Sequence, residues 1–441
     1  MVQYMFVPFT YPRDLYTTLQ KKWNKKISWE KTPPQLPPQK ILEELIDVIY
    51  HASFLTEESR RLWFRVVFIE PKNAIETRGG RDTTAILFEE PREFSVGEVI
   101  KLTPAANPTQ VLIGVHTNPS HSDKLQIWGL IESGNSWWDF VRHESNHGSP
   151  PPPGFTISSK EPGQVTISRE GIVLLVLKQG KLSEPSEGVL YKGPVHDFLM
   201  NGAKALYKEC CEELKIKKWS KEDNDWPLRF YTFFIERLLI KIRDLHHGGA
   251  LIILPDELNV HDTRLTDRLN IKYRCEYNKS WTYLVKELIR HKQYYDLHFK
   301  FFKQTTISSA EYKAVSHLSY IEEYSEEYIA NAIGFLSSLS GVDGAVVITD
   351  KLRLIGFGAE VTASSPSLKQ IKIMNNVTEN KREYKNIELF GTRHRSSFRF
   401  CSSFENAIVF IVSQDGDIKV TKRVDSEVVF WPDLRIDSMG F

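Results

Sequence analysis

The chain has 441 residues, 41% of them hydrophobic and 12% aromatic, so it can bury substantial cores in two or more domains and is neither disordered nor fibrous. Its 57 Lys and Arg against 56 Asp and Glu leave a formal charge of +1, which excludes the global basic field of a nucleic-acid coat or a membrane-surface protein and makes any polyanion site local. Cys210, Cys211, Cys275 and Cys401 contain no Cys-x-x-Cys pair, so neither a disulfide framework nor a four-thiolate zinc site is expected, and a reducing cytoplasm fits best.

Met1 to Phe6 lacks the basic start and apolar core of a signal peptide, and the longest apolar run, Ile172 to Leu177, is too short to span a bilayer. No membrane partner is expected, and the sequons at Asn278 and Asn376 read as chance matches. Thr32 to Pro38 is a stiff, proline-rich lead into a helix from Gln39 to Phe54, with Leu42, Leu45, Ile46, Ile49 and Ala52 or Ser53 as its apolar stripe. Short strands follow at Leu62–Ile69, Glu98–Leu102, Val111–Val115 and Gln126–Ile131, with Pro104, Asn107 and Pro108 as turn chemistry. The tract from Gly148 to Gly154 holds four consecutive prolines and reads as a loop or internal linker. Strands resume at Gln164–Ile167 and Ile172–Leu177.

From about Ala203 the period becomes helical. A long helix enters at Asp225-Trp226-Pro227, ends at Gly248-Gly249, and gives way to a buried strand, Ala250–Leu254. Two more helical stretches are expected, Ser280–Lys303 and one opening at Tyr324 that runs through Ile333, Leu336 and Leu339. The main boundary is placed near Gln304, giving an N-terminal α+β region, 1–303, and a C-terminal domain, 304–441.

Several motifs carry candidate chemistry. His143-Glu144-Ser145-Asn146-His147 matches the zinc-peptidase spacing, but Ser145 and Asn146 are poor helix formers, Gly148 and the prolines would stop the helix, and no third ligand is near, so an exposed polar loop is the preferred reading. Gly356-Phe357-Gly358 is only a fragment of a dinucleotide fingerprint and reads as a turn or bulge between strands. His246, His247, His116 and His121 lack partners at metal-ligand spacing, and Lys369, Lys372, Lys381, Arg382 and Lys385 read as a solvated basic loop.

The most informative pair lies late in the chain. Gly341-Val342-Asp343-Gly344-Ala345 leads into Val346-Val347-Ile348, a buried strand with a carboxylate at its upstream end. Gly391-Thr392-Arg393-His394-Arg395-Ser396-Ser397 reads as a basic, donor-rich loop suited to polyphosphate. A carboxylate for a divalent cation and a cationic loop for phosphates are the minimum equipment for nucleotide chemistry.

Asp-Gly-Ala with a hydrophobic strand, then Gly-Thr-Arg-His-Arg-small-small, then Ile408 to Ser413, resembles the diadenylate cyclase (DAC) domain over about the last third of the chain. Ala52 to Glu58, Leu125 to Leu130 and Gly248 to Leu251 resemble, more weakly, the predicted sensor module that precedes some DAC domains. The resemblance implies a central mixed β-sheet flanked by helices, so the expected fold class is α+β with a mixed α/β C-terminal domain. It implies condensation of two ATP into the second messenger cyclic di-AMP with release of two pyrophosphates, in a homodimer or higher homo-oligomer whose sites face across the interface. Asp343, Gly344, Ala345, Arg393, His394 and Arg395 are the implied catalytic residues; Gly358, Ala359, Gly391, Thr392, Ser396 and Ser413 the nucleotide-binding ones. Mg²⁺ or Mn²⁺ is the implied cofactor, on Asp343 and Asp415. An unidentified ligand is expected for the N-terminal module. The chain departs from the family at Val342, where many members have His, and at Gln414, where an acidic residue can join the metal site; Asp415 is the candidate substitute. A degenerate DAC fold that binds nucleotide without cyclising it is the alternative.

Overall fold

The protein is described by a computed structural model covering residues 10–24, 35–75, 84–118, 124–132, 154–169, 171–178, 180–183, 188–213, 225–258, 261–277, 306–374, 383–414 and 416–434, with isolated positions at 152, 215, 297, 300 and 301. The expected His-Glu-x-x-His segment, the Ser280–Lys303 helix, most of the proline tract and Asp415 lie outside the described residues. The chain mixes helices with two large sheets, one in each of two units, the first running to Pro185 and the second from Ser186 to Ile436.

The first unit contains helices α1 (Leu15–Trp23) and α2 (Gln39–Ala52), strand β1 (Phe64–Phe68), β2 (Thr84–Glu93), α3 (Val96–Leu102), β3 (Val111–Asn118), β4 (Lys124–Glu132), β5 (Phe155–Ser159), β6 (Gln164–Arg169), β7 (Ile172–Lys178) and β8 (Lys181–Ser183). The sheet order is β8-β7-β6-β5-β1-β3-β4-β2, antiparallel except for β1 beside β3. The stripe Leu42, Leu45, Ile46, Ile49 and Ala52 of α2 is fully buried, as its 3.6-residue period requires. Glu98–Leu102, expected as a strand, is instead part of α3. The Ser95 hydroxyl accepts from the Glu98 N–H at 3.3 Å as an N-cap, and Val96, Val99 and Ile100 then face the core at helical spacing. Capping chemistry overrides the β-branched run.

The second unit contains α4 (Gly193–Glu213), α5 (Asp225–Asp244), β9 (Gly249–Leu254), β10 (Leu269–Tyr277), α6 (Ser309–Leu339), β11 (Ala345–Thr349), β12 (Leu354–Val361), β13 (Gln370–Ile373), β14 (Glu383–Asn386), α7 (Thr392–Ser403), β15 (Ile408–Val412), β16 (Ile418–Val424) and β17 (Glu427–Trp431). Its sheet is ordered β10-β12-β11-β9-β15-β16-β17-β13-β14 and is mixed, with β9 parallel to β11 and β13 parallel to β17. The central strands are buried on both faces, which is why they read as unbroken apolar runs. Leu251, Ile253, Val346, Ile348 and Phe410 pack with Leu199, Phe234, Leu238, Ile333 and Leu336 of α4, α5 and α6. Ala250, Ile252, Val347, Val409 and Ile411 pack on the other side with Phe398, Phe400 and Cys401 of α7.

This packing moves the boundary expected near Gln304. Strand β9 lies between β11 and β15, and α4 and α5 cover one face of the same sheet, so residues 193–254 are built into the second unit. Helix α6 also begins earlier than Tyr324, at Ser309: Ser308 Oγ accepts from the Glu311 N–H at 3.3 Å and Glu311 Oε2 accepts from the Ser308 N–H at 2.7 Å, a capping box.

Candidate functional site

Strand pairing gathers four segments at one end of the second sheet. Ala250 pairs Ala345 in parallel, Gly249 pairs Val412 antiparallel, and Ala345 pairs Ala359 antiparallel. The starts of β9 and β11, the later part of β12 and the end of β15 therefore share one edge. Asp343-Gly344-Ala345, Gly358-Ala359, His247-Gly248 and Ser413-Gln414 are neighbours there, at roughly 4.8 Å per strand.

Two glycines allow the approach. Gly344 has φ +123°, and a Cβ on it would lie 2.6 Å from the Gly358 carbonyl carbon and 2.8 Å from the Ala359 nitrogen. Gly358 has φ +62° and a Cβ there would meet Val342 and Tyr273 at 3.3 Å. The Asp-Gly-Ala turn thus rests on the β12 backbone, and Gly358 lies inside that strand beside register shifts rather than in a turn. Asp343 is exposed, and among the described residues no hydrogen bond or ion pair engages its carboxylate.

The basic heptad is not a loop. Gly391 is the N-cap of α7, without a side-chain cap, so the N–H groups of Thr392 and Arg393 head an exposed helix N-terminus suited to anions. Arg393 reaches the sheet end: its Nη1 lies 2.8 Å from where a Gly248 Cβ would stand, and the Gln414 nitrogen is 3.1 Å from the same point. Ser396 and Ser397 donate back to the Arg393 carbonyl at 3.0 and 2.8 Å. Arg395 donates to Glu388 Oε2 at 2.6 Å and, two residues along α7, does not share a helix face with Arg393.

His394 packs between Phe390, Phe398 and Phe430. Burial, reinforced by Lys419 and Arg393, lowers its pKa to about 4, so it is neutral near pH 7 and is not the third cation of the heptad. Lys419 supplies a cation instead: its Nζ donates to Ser413 Oγ at 2.8 Å and lies 3.6 Å from Asp417. Gln414 Nε2 donates to the His247 carbonyl at 3.5 Å.

Sequence reading missed Gly248, Lys419, Tyr273 and Phe357. Tyr273 is 52% exposed yet stacks on Phe357, with centroids 4.7 Å apart and planes at 15°, forming a flat aromatic platform beside Gly358. Gly248-Gly249, expected as the end of a helix in the N-terminal region, instead opens β9 of the second unit's sheet.

No three His, Cys, Asp or Glu side chains among the described residues gather as a metal cage. Asp343 supplies one open carboxylate, which fits a Mg²⁺ or Mn²⁺ ion that takes its remaining ligands from water and phosphate.

Residues 31–132, within the first unit, match the family model described as Probable sensor domain DACNV. No curated protein and no solved structure matches the chain. The N-terminal segment is therefore similar to a sensor domain associated with DAC-type proteins. Among the described residues no helix is long and apolar enough to cross a membrane.

Proposed function

We propose that the second unit is a nucleotidyltransferase that condenses two ATP into cyclic di-AMP and that the first unit regulates it. The observation that carries this reading is the meeting, at one sheet end, of the open Asp343 carboxylate, the glycine-lined Gly344–Gly358 contact, and the uncapped α7 N-terminus with Arg393.

In this reaction the ribose 3′-hydroxyl of one ATP attacks the α-phosphorus of another, held by a second copy facing it, and pyrophosphate leaves. The α7 N–H groups and Arg393 hold the triphosphate and, with Lys419, compensate the charge that develops on the leaving group. Asp343 would hold the divalent cation, which supplies charge neutralisation and a lowered hydroxyl pKa. Gly358-Ala359 and the Tyr273–Phe357 pair accept the base by close approach and stacking. His394 stays neutral and orients phosphate by hydrogen bonding.

The test is incubation with each nucleoside triphosphate and Mg²⁺ or Mn²⁺, with products identified by mass spectrometry. A cyclic dinucleotide from the native chain and none from Asp343→Asn supports the proposal; none from either refutes it. One observation favours a second reading, a nucleotide-binding sensor on a degenerate cyclase fold: Gln414 stands where an acidic ligand would serve and its amide is tied to the His247 carbonyl. That reading expects saturable ATP or cyclic dinucleotide binding without pyrophosphate release.

A further inference from the structure

Helix α6 carries two faces of different chemistry. Ile329, Ile333 and Leu336 are at most 4% exposed and pack into the core with α4 and α5. At about 100° per residue, Tyr320, Tyr328 and Phe335 fall on the side turned away from that core, and they are 56%, 61% and 54% exposed. Ala310, Lys313, His317, Asn331 and Ser338 continue the same stripe and are exposed as well. The stripe runs from 310 to 338, about four heptads, and these eight positions include no acidic residue. Three large aromatic side chains, each more than half exposed along one helix face, form a contact surface, unlike the scattered apolar residues of an ordinary exterior.

The stripe is self-complementary when it is reversed. Counted outward from Tyr324, Tyr320 and Tyr328 stand at four residues, His317 and Asn331 at seven, Lys313 and Phe335 at eleven, and Ala310 and Ser338 at fourteen. In two antiparallel copies of α6 related by a two-fold axis at 324, the members of each pair meet, and each match occurs twice. Tyrosine then packs on tyrosine, the His317 ring meets the Asn331 amide, the Lys313 ammonium lies over the Phe335 ring, and small residues close both ends. The equal spacing belongs to any helix face; the matched chemistry does not. A parallel pair would set Lys313 against Lys313 and lose both contacts between lysine and phenyl ring.

We propose that a second copy of this chain docks on α6, antiparallel, through Lys313, His317, Tyr320, Tyr328, Asn331 and Phe335. From Lys313 to Phe335 the contact is about 33 Å long. Asp343 lies 19 residues past the axis, roughly 28 Å along it, so this pairing holds the two Asp343 groups far apart. It is a different interface from the one proposed to bring two ATP together, and it does not rest on the nucleotide reading. Copies joined through both surfaces would assemble beyond a dimer.

The test uses the full chain. Tyr320→Cys and Tyr328→Cys combined in one chain should give a covalent dimer on mild oxidation, because position 320 of one copy meets 328 of the other. Neither substitution alone should crosslink above the native chain, whose partly exposed Cys211 and Cys275 set the background. In sedimentation at tens of micromolar protein, Tyr328→Glu with Phe335→Glu should halve the assembled mass of the native chain while its circular dichroism stays unchanged. A native chain that stays monomeric, no crosslink in the combined variant, equal crosslinking in the single ones, or an assembled mass unchanged by the two glutamates would overturn the assignment.

Discussion

His394 stands at a helix N-terminus beside two cations and three phenyl rings, and its pKa of about 4 follows from that placement. Because the native value lies below the ordinary 6.5, the unfolded chain binds the proton more tightly. The stability this imidazole contributes is complete above about pH 6.5 and is lost as pH falls toward 4. An NMR titration of the His394 ring is expected to show a midpoint near 4, and a midpoint near 6.5 would contradict the packing described. Asp350 behaves in the opposite direction: burial raises its carboxyl to about 6, against a helpful hydrogen bond from the Asp256 N–H at 3.0 Å. Its native pKa exceeds the unfolded one, so this contribution is complete below about pH 4 and is lost as pH rises through 6. Asp350→Asn is expected to raise the Tm above the native chain's at pH 8, with the gap closing as pH falls to 5; thermal melts across that range decide it. At this scale Asp343 and Arg393 stand out in the sequence as candidates, because an Asp-Gly turn before β-branched residues and a cationic heptad carry their chemistry locally. The sequence could not show that His394 is neutral or that Lys419 replaces its charge, since both depend on burial and on a strand that pairs from elsewhere.

Among elements, the short backbone approaches are the most exposed to test. Gly248 has φ +62°, and a Cβ there would fall 2.8 Å from Arg393 Nη1 and 3.1 Å from the Gln414 nitrogen and the Val412 carbonyl oxygen, so Gly248→Ala is expected both to lower the Tm through backbone strain and to weaken ATP binding several-fold by pushing the guanidinium aside, as thermal melts and calorimetry can check. Ser308→Ala removes one half of the α6 capping box and is expected to lower unfolding free energy by about 1 kcal/mol in a denaturant melt. The Ser308-Ser309-Ala310-Glu311 signal was present in the sequence, yet the helix was expected to open only at Tyr324, where the apolar stripe strengthens. Glu98–Leu102 failed for the complementary reason: its residues suit a strand, and Ser95 decides for helix. Helices α2 and α5 and strands β9, β11 and β15 were legible because their apolar periods agree with their burial.

At the scale of the whole molecule, the sheet's strand order determines where the second unit begins. The expected boundary at Gln304 separated β9 from the sheet it belongs to, because the period of an isolated apolar run does not say which strands it will pair with. Leu251, Ile252, Ile253 and Leu254 are fully buried, and at about 1.5–3 kcal/mol each their burial contributes about 6–12 kcal/mol, comparable with the whole stability of a domain. A chain starting at Ser186 is expected to fold cooperatively, and one starting at Gln304 to be insoluble or unfolded; circular dichroism of the two distinguishes them. The matched sensor segment lies wholly in the first unit. The measurement that tests the central claim most directly is the stoichiometry of products from ATP and Mn²⁺. One cyclic di-AMP per two pyrophosphates, absent in Asp343→Asn, is the predicted result; ADP and phosphate, or bound ATP recovered unchanged, would contradict it.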